Sequence, residues 1–444
     1  MYKAFAEMVR MVVAVAVLLA AATARGDEAT IARPNVLFMM ADQQRFDALE
    51  AVNPAVQTPS LDRLCREGVR FPFAYAAQAL CSPSRASIFS GVYPHTHRVD
   101  HNVYKIPDVA ADSKYCLTVT WPLLLKRAGY HAGYIGKWHL GEAPSPSFDE
   151  WLGYNSLMPH WIGKKQEGVY RSDRETDQAI DFIERNKGRP FVLCVSYYPP
   201  HTPYDPPRAF ADRYRGKGLE PVEYWGAVTA VDACVGRLLK KLDETDLARR
   251  TLVLFTADHG DHFGKRPGGK NKQTAHDESA RVPLIMRLPG RFEGGGVRNE
   301  LVSLVDLMPT VLDVAGVAPP AGLQGYSLAG RGTGAGRRAA VVVENCEYAA
   351  KKVEALSRGV GNRRYKLILR DRPLAANGPL REFYDRKHDP AEHANLYGPA
   401  QAEHIRPLLD ALDEWAAQTG DELGTRLAAA CRADLGPAKD KASP

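Results

Sequence analysis

Five short apolar runs recur along the chain: NVLFMM at 35–40, HAGYIG at 131–136, FVLCVSY at 191–197, LVLFTA at 252–257 and PLIMRL at 283–288. Runs of this length, bounded by polar or glycine-containing segments, predict buried strands. Between them, 59–67, 121–129, 175–186 and 222–243 carry helical spacing. In the last, Tyr224, Ala227, Val231, Val235, Leu238 and Leu242 recur at three- and four-residue intervals and make one apolar face. Strands alternating with helices predict an α/β fold with a largely parallel sheet. In such sheets functional groups gather beyond the carboxyl ends of the strands.

The pattern changes past residue 316. The stretch GVAPPAGLQGYSLAGRGTGAGRR, 316–338, is rich in Gly and Pro and reads as a linker or long surface loop. AAVVVE, YKLILR and EFYD then predict short antiparallel strands, and 403–417 a closing helix with Ile405, Leu408, Leu409, Leu412 and Trp415 on its apolar side. The expected organisation is a larger domain over 27–336, a smaller α+β domain over 337–420 and a disordered tail over 421–444. At the other end, Lys3 and Arg10 precede the apolar run of MVVAVAVLLAAATARG and the small residues Ala22-Thr23-Ala24. This is the pattern of a secretory signal peptide, placed at 1–26. The apolar run is shorter than the roughly 20 residues a spanning helix requires. An exported protein without a stable membrane anchor is expected, periplasmic or extracellular. Acceptors of the Asn-x-Ser/Thr type are absent from the chain, which favours a bacterial periplasm.

Charge narrows the partners. The 444 residues carry a formal net charge of +6. No basic stripe with interleaved aromatics is present, so nucleic acid is not expected as a partner, while an anionic substrate is admitted. Seven cysteines (Cys65, Cys81, Cys116, Cys194, Cys234, Cys346 and Cys431) would allow disulfides in an exported chain. Cys65, Cys194 and Cys234 fall in apolar-periodic segments, where a buried thiol is the plain explanation. Cys81 stands apart. It opens CSPSRASIFSG, with none of the neighbouring Cys or His that a metal-binding cysteine needs.

Two of the predicted strands end in candidate ligands. NVLFMM runs into Ala41-Asp42-Gln43, and LVLFTA into Asp258-His259-Gly260. Two carboxylates, an amide oxygen and an imidazole make an oxygen-dominated set that suits a hard dication, calcium or magnesium, better than zinc. Acids after strands also serve as helix caps, so these pairs gain weight only together with Cys81.

Cys81-x-Pro83-x-Arg85 within a run of small residues is the element at which sulfatases have a cysteine oxidised to formylglycine. The chain resembles the formylglycine-dependent (type I) sulfatases of the alkaline-phosphatase superfamily, the group that contains the arylsulfatases and iduronate sulfatase. The likeness runs from about residue 33 to about 397, through motifs in the family's order. RPNVLFMMADQQRFDAL, CSPSRASIFSGVYPHTHRV and GYIGKWHLG come first. PPHTPYDPP, FTADHGDHFG, KQTAHDESARVPLIMRLPG and SLVDLMPTVLDVAGV follow, and RYKLIL and EFYDRKHDPAEHANL resemble the family's C-terminal domain.

The resemblance implies an alkaline-phosphatase-like fold: a large mixed, mostly parallel sheet sandwiched by helices, with a smaller C-terminal α+β domain. It implies a sulfuric ester hydrolase, acting on a carbohydrate or glycan as exported relatives commonly do. A formylglycine-generating, sulfatase-maturing enzyme would read Pro83 and Arg85 in the nascent chain. Of the two hydroxyls of the hydrated aldehyde, one would attack sulfur and the other would expel sulfate. Asp42, Gln43, Asp258 and His259, with modified Cys81, would hold Ca²⁺, or else Mg²⁺. Arg85, Lys137 and Lys272 would surround the sulfate with positive charge, and Lys137, His201 and Lys272 would bind substrate. His139 would accept the proton of the second hydroxyl, and His201, shared with Lys272, would serve the leaving alkoxide.

Two positions depart from the commonest family pattern, Gln43 where aspartate is frequent and His259 where asparagine is frequent. They remove one formal negative charge at the metal and leave the choice of cation open. Asp277 is expected to be structural, His262 and His276 to lie outside the site, and Arg363 and Arg364 to be solvated. Relatives with the same cysteine element cleave phosphodiesters or phosphonate monoesters. A non-catalytic glycan-binding relative would keep Cys81 as a thiol. Both stand as alternatives.

Overall fold

The computed structural model describes residues 33–437 apart from 110, 113, 267–270, 331–337, 350–351 and 375–377. The expected signal peptide at 1–26 and the last residues of the expected tail, 438–444, lie outside the described residues. The strand Asn35–Asp42 is buried at every position. Val36, Phe38 and Met40 belong to one hydrophobic cluster, Leu37, Met39 and Ala41 to another. Successive strand side chains point to opposite faces, so an unbroken apolar run is what a strand covered on both sides requires.

Phe191–Pro200 and Thr251–Ala257 flank Asn35–Asp42 in parallel, and His131–Lys137 pairs in parallel with Phe191–Pro200. The full order of the eight-stranded sheet is Gly296–Val297, Val69–Arg70, Leu284–Arg287, Thr251–Ala257, Asn35–Asp42, Phe191–Pro200, His131–Lys137, Glu150–Tyr154. Leu284–Arg287, from the PLIMRL run, is its antiparallel member against both neighbours. Helices Pro59–Glu67, Arg171–Asn186 and Val222–Glu244 cover one face with Leu61, Phe182, Ile183, Val231 and Leu238. Cys81–Ser90, Trp121–Arg127 and Leu307–Ala315 cover the other with Ile88, Phe89, Trp121, Leu125 and Leu312. This is the large mixed, mostly parallel sheet between helices that the sequence predicts.

The helix expected over 175–186 begins earlier, at Arg171. Its second turn carries Glu175, fully buried, with Oε1 accepting from the Tyr154 hydroxyl at 3.1 Å and Oε2 without a hydrogen-bond partner. Burial pushes this carboxyl up from 4.5 to about 8. Between those values the folded protein keeps a proton that the unfolded chain has released, so stability falls as pH rises through that window. Glu175→Gln, isosteric and neutral, escapes this loss. Its urea-unfolding free energy should match wild type near pH ~4.5 and exceed it by a few kcal/mol (~2–4) at pH ~8–9.

Beyond the main sheet, Val341–Ala349, Lys352–Gly361, Tyr365–Arg370 and Arg381–Asp385 form a four-stranded antiparallel sheet in chain order. Three of these are the expected strands. The fourth, KVEALSRGVG, has charged residues and glycines that break the apolar signal, and pairing on both sides is what makes it a strand. Ala402–Thr419 packs there through Ile405, Leu408, Leu409, Leu412 and Trp415.

The tail expected over 421–444 is corrected by a helix at Glu422–Leu435. The Asp421 side chain caps it, accepting from the Gly424 amide at 2.9 Å, and Leu427, Ala428, Cys431 and Leu435 are buried in the same cluster. Few and small apolar residues hide this helix in the sequence. The neighbouring helix and the buried Arg358–Asp421 ion pair at 2.7 Å order it. All seven cysteines are free, with Cys194 and Cys234 buried, Cys65 partly buried and Cys116 exposed. Among the described residues no helix is long and apolar enough to cross a membrane.

Candidate active site

Four adjacent parallel strands deliver polar side chains at their carboxyl ends. Asn35–Asp42 ends on Asp42, Thr251–Ala257 leads into Asp258 and His259, His131–Lys137 into His139, and Phe191–Pro200 into His201. The helix Cys81–Ser90 starts with Cys81 at its first position, and all ten of its residues are buried. Small residues let it lie that deep. Ser82 and Ser84 donate to the carbonyls of His139 and Asp258 at 2.6 and 2.5 Å, so the buried hydroxyls are satisfied by the strand-end loops themselves.

Cys81 Sγ lies 3.2 Å from His259 Nε2, 3.3 Å from Lys272 Nζ, and 3.7 Å from both Asp42 Oδ1 and Lys137 Nζ. Asp42, Cys81, Asp258 and His259 each present a ligand atom, all within 4.8 Å of one another and all buried. His259 Nδ1 donates to the Gly260 carbonyl at 2.8 Å, so the ring turns Nε2 towards the cluster. Two carboxylates, that nitrogen and the side chain of residue 81 fit a divalent cation.

Arg85 holds the cluster from below. Its Nε donates to Asp258 Oδ2 at 2.9 Å, its Nη2 to Asp42 Oδ2 at 2.8 Å, and its Nη1 to Ser196 Oγ at 2.8 Å and to the Lys137 carbonyl. Lys137 Nζ is 2.7 Å from Asp42 Oδ2 and 4.5 Å from the centre of the Tyr198 ring. Burial alone would raise the Asp42 carboxyl, but the charges of Lys137, Arg85 and Lys272 hold it well below the usual carboxylate range. Burial and Asp42 likewise push the Cys81 thiol up, yet Lys137, Lys272 and His259 bring it below its ordinary value. The backbone before Lys137 requires glycine: Gly136 has φ +97°, and a Cβ there would lie 2.1 Å from the Ser196 carbonyl oxygen.

Lys272 Nζ donates to Gln43 Oε1 at 2.8 Å and to His201 Nε2 at 3.0 Å. His201 Nδ1 donates to the Thr202 carbonyl at 2.5 Å. Burial, then Lys272 and Lys137, hold the His201 imidazole well below its ordinary value, and it is neutral. Burial, Lys137 and Arg85 do the same to His139. The His139 ring is 1% exposed, neither of its nitrogens has a hydrogen-bond partner, and it packs 5.2 Å from the half-exposed Tyr104 ring.

The family model described as Sulfatase matches residues 34–317, more than half of the chain, and that of the C-terminal region of N-sulphoglucosamine sulphohydrolase matches 268–418. The chain belongs to the sulfatase family. It is similar to an ulvan-active sulfatase of Formosa agariphila, 30% identical over 90% of this chain and 84% of that one. An N-acetylglucosamine-6-O-sulfatase of Bacteroides thetaiotaomicron is 28% identical over 88% of this chain and 87% of its own. Among solved structures, BT4656 in complex with its substrate D-glucosamine-2-N,6-O-disulfate superposes with a TM-score of 0.72 at 26% identity, covering 88% of this chain and 99% of that one. The fold is the alkaline-phosphatase-like one of sulfatases, and the activity is that of a sulfuric ester hydrolase.

In this sulfatase the structure brings together Asp42, Gln43, Cys81, Arg85, Lys137, His139, His201, Asp258, His259 and Lys272. It also shows groups that the sequence does not mark: Ser196, Tyr198, Tyr204 and Asp261. Only Asp261, third polar residue in ADHGD, carried a signal that could have found it. Asp277 is buried in an ion cluster with Arg281, Arg386 and Lys366. His276 pairs with Glu382 at 3.2 Å, and His262 Nε2 is 3.4 Å from the Lys272 carbonyl oxygen. Arg364 pairs with Asp385 at 2.8 Å, and with Arg363 it lines a cavity of about 620 Å³ that none of the site residues borders. The small sheet and the loop after it steady the Lys272 segment: Lys366 Nζ donates to the Ala275 carbonyl at 2.8 Å, and Glu392 accepts from the Asp277 amide at 2.7 Å.

Proposed function

We propose that this sulfatase removes a sulfate ester from a carbohydrate, using a formylglycine made from Cys81 and a Ca²⁺ ion held by Asp42, Gln43, residue 81, Asp258 and His259. Mg²⁺ is the other candidate cation. The observation that carries the reading is the place of Cys81, first in a buried helix and within 3.7 Å of His259, Lys272, Lys137 and Asp42. The names of the relatives support a sugar substrate: ulvan, N-acetylglucosamine and a glucosamine disulfate.

When present, the cation supplies charge at the sulfate oxygens and the aldehyde hydrate supplies a hydroxyl nucleophile with a built-in release. The chain's own residues do the rest. Lys137 and Lys272 flank position 81 and stabilise negative charge that develops there, aided by the helix N-terminus. His139, neutral and with both ring nitrogens unpartnered, has a lone pair to take a proton. His201 Nε2 is an acceptor towards Lys272, so the proton for the leaving oxygen resides on Lys272 and His201 orients it. Arg85 spends its donors on Asp42, Asp258, Ser196 and the Lys137 carbonyl, and acts on the carboxylates rather than on sulfate directly.

Ser82, Pro83, Ser84 and Arg85 are buried in the folded chain. A maturing enzyme that reads Pro83 and Arg85 therefore acts before the chain folds. The signal pattern at 1–26 supports export to the periplasm or beyond, and the change of pattern after 316 supports a division into domains at 27–336 and 337–420.

Protein co-produced with a formylglycine-generating enzyme is expected to release free sulfate from at least one member of a panel of sulfated mono- and oligosaccharides, and to lose that activity in EDTA. Cleavage of phosphodiesters or phosphonate monoesters without sulfate release would overturn the reading. So would a Cys81 peptide that stays an unmodified thiol in the native host, seen by mass spectrometry, in favour of a glycan-binding role.

A further inference from the structure

Gln43 poses a problem that a carboxylate in its place would not. A carboxylate offers oxygen whichever way it turns, whereas an amide has an oxygen side and an N–H side of nearly equal size. Which side faces the cluster is set by its partners. Gln43 itself is firmly placed. Its φ is +71°, its amide N–H donates to Asp258 Oδ1 at 3.0 Å, and its carbonyl accepts from the Tyr224 hydroxyl at 3.0 Å. Its side chain has two contacts: Nε2 donates to Asp261 Oδ2 at 2.5 Å, and Oε1 accepts from Lys272 Nζ at 2.8 Å.

Asp261 is fully buried and is committed as an acceptor. Its Oδ2 also takes the Tyr204 hydroxyl at 2.5 Å, and its Oδ1 takes the Phe263 amide at 2.7 Å. Tyr204 Oη in turn accepts from Asn271 Nδ2 at 2.8 Å, which leaves the tyrosine proton for Asp261. Three donors converge on one carboxylate, so only the NH₂ side of Gln43 can face it. The amide oxygen then turns to Lys272 Nζ, which also reaches Cys81 Sγ at 3.3 Å, and keeps one lone pair to spare.

We propose that Asp261 is the positioning residue that turns the Gln43 amide oxygen toward the cation, a role that rests on the reading of Asp42, Gln43, Asp258 and His259 as a cation site. Lys272 cannot supply this selection alone, because its ammonium also serves position 81 and His201. Asp261, Tyr204 and Asn271 form a fixed chain behind the ligand, of the kind that orients metal-binding side chains elsewhere.

The test is Ca²⁺ affinity of the full, matured chain stripped with EDTA, measured by isothermal titration calorimetry, with thermal melting in EDTA as the check on folding. Asp261→Asn, which accepts and donates with equal ease, should weaken Ca²⁺ binding about 10- to 100-fold. The double variant Gln43→Glu/Asp261→Asn exchanges donor and acceptor across the same hydrogen bond and keeps an oxygen toward the cluster. It should bind within about threefold of wild type. Tyr204→Phe removes one donor to Asp261 and should weaken binding by a few-fold (~2–5). Should Asp261→Asn fail to fold, the double variant and Tyr204→Phe carry the comparison. Wild-type affinity in Asp261→Asn, or a double variant no tighter than the single one, would overturn the role of Asp261. Absence of Ca²⁺ and Mg²⁺ binding by wild type would instead overturn the cation reading itself.

Discussion

Cys81→Ala is expected to lower sulfate release by on the order of 10⁴-fold or more while leaving the folded protein intact. The thiol lies within 3.7 Å of the side chains of His259, Lys272, Lys137 and Asp42. Loss of one sulfur atom from the start of a helix removes no hydrogen bond of the backbone, and alanine is a good helix former there. The stability cost is that of a small cavity, about 1 kcal/mol. Cys81→Ser separates two parts of the chemistry. A serine hydroxyl can attack sulfur once, but it lacks the second hydroxyl that expels sulfate. That variant should release at most one equivalent of alcohol per chain and retain a sulfated residue 81, seen by mass spectrometry. Free sulfate by ion chromatography and released sugar by chromatography distinguish the two outcomes. Turnover by Cys81→Ala at anything near the wild-type rate would remove position 81 from the mechanism altogether.

How much of this was legible beforehand depends on which physical signal each part carries. Strands buried on both faces print themselves as apolar runs, which is why Asn35–Asp42, His131–Lys137, Phe191–Pro200 and Thr251–Ala257 stand out. The acids at their ends are then found by the rule that α/β sites gather at the carboxyl edge. Lys352–Gly361 and Glu422–Leu435 have no such print, because pairing and docking supply what their own residues lack. Within the site, Cys81 was marked by its local motif. Asp261 and Tyr204 acquire meaning only when separate loops meet, since Tyr204 lies in one and Gln43 in another. Arg85 shows the limit of a motif most clearly. The family resemblance implies a place near sulfate, while the side chain's hydrogen bonds place it under Asp42 and Asp258.

That placement sets the largest stability effect expected from one substitution. Arg85→Met, similar in length and apolar, should lower the free energy of unfolding by about 3–5 kcal/mol in metal-free buffer, because it leaves two buried carboxylates without their shared cation. Lys137 remains beside Asp42, but Asp258 Oδ2 loses its charged donor. Arg85→Lys should recover only part of the loss, since one ammonium cannot span Asp42, Asp258, Ser196 and the Lys137 carbonyl at once. A divalent cation held by Asp42 and Asp258 would supply positive charge to the same carboxylates. Any ligand that binds only the folded chain stabilises it in proportion to the logarithm of its excess over Kd, and here it also relieves repulsion between Asp42 and Asp258. Urea unfolding in EDTA and in Ca²⁺ should therefore show a larger Ca²⁺ increment for Arg85→Met than for wild type. Equal stability of variant and wild type in EDTA would mean that the ion pairs only break even against desolvation, and that Arg85 serves to aim the two carboxylates rather than to hold the fold.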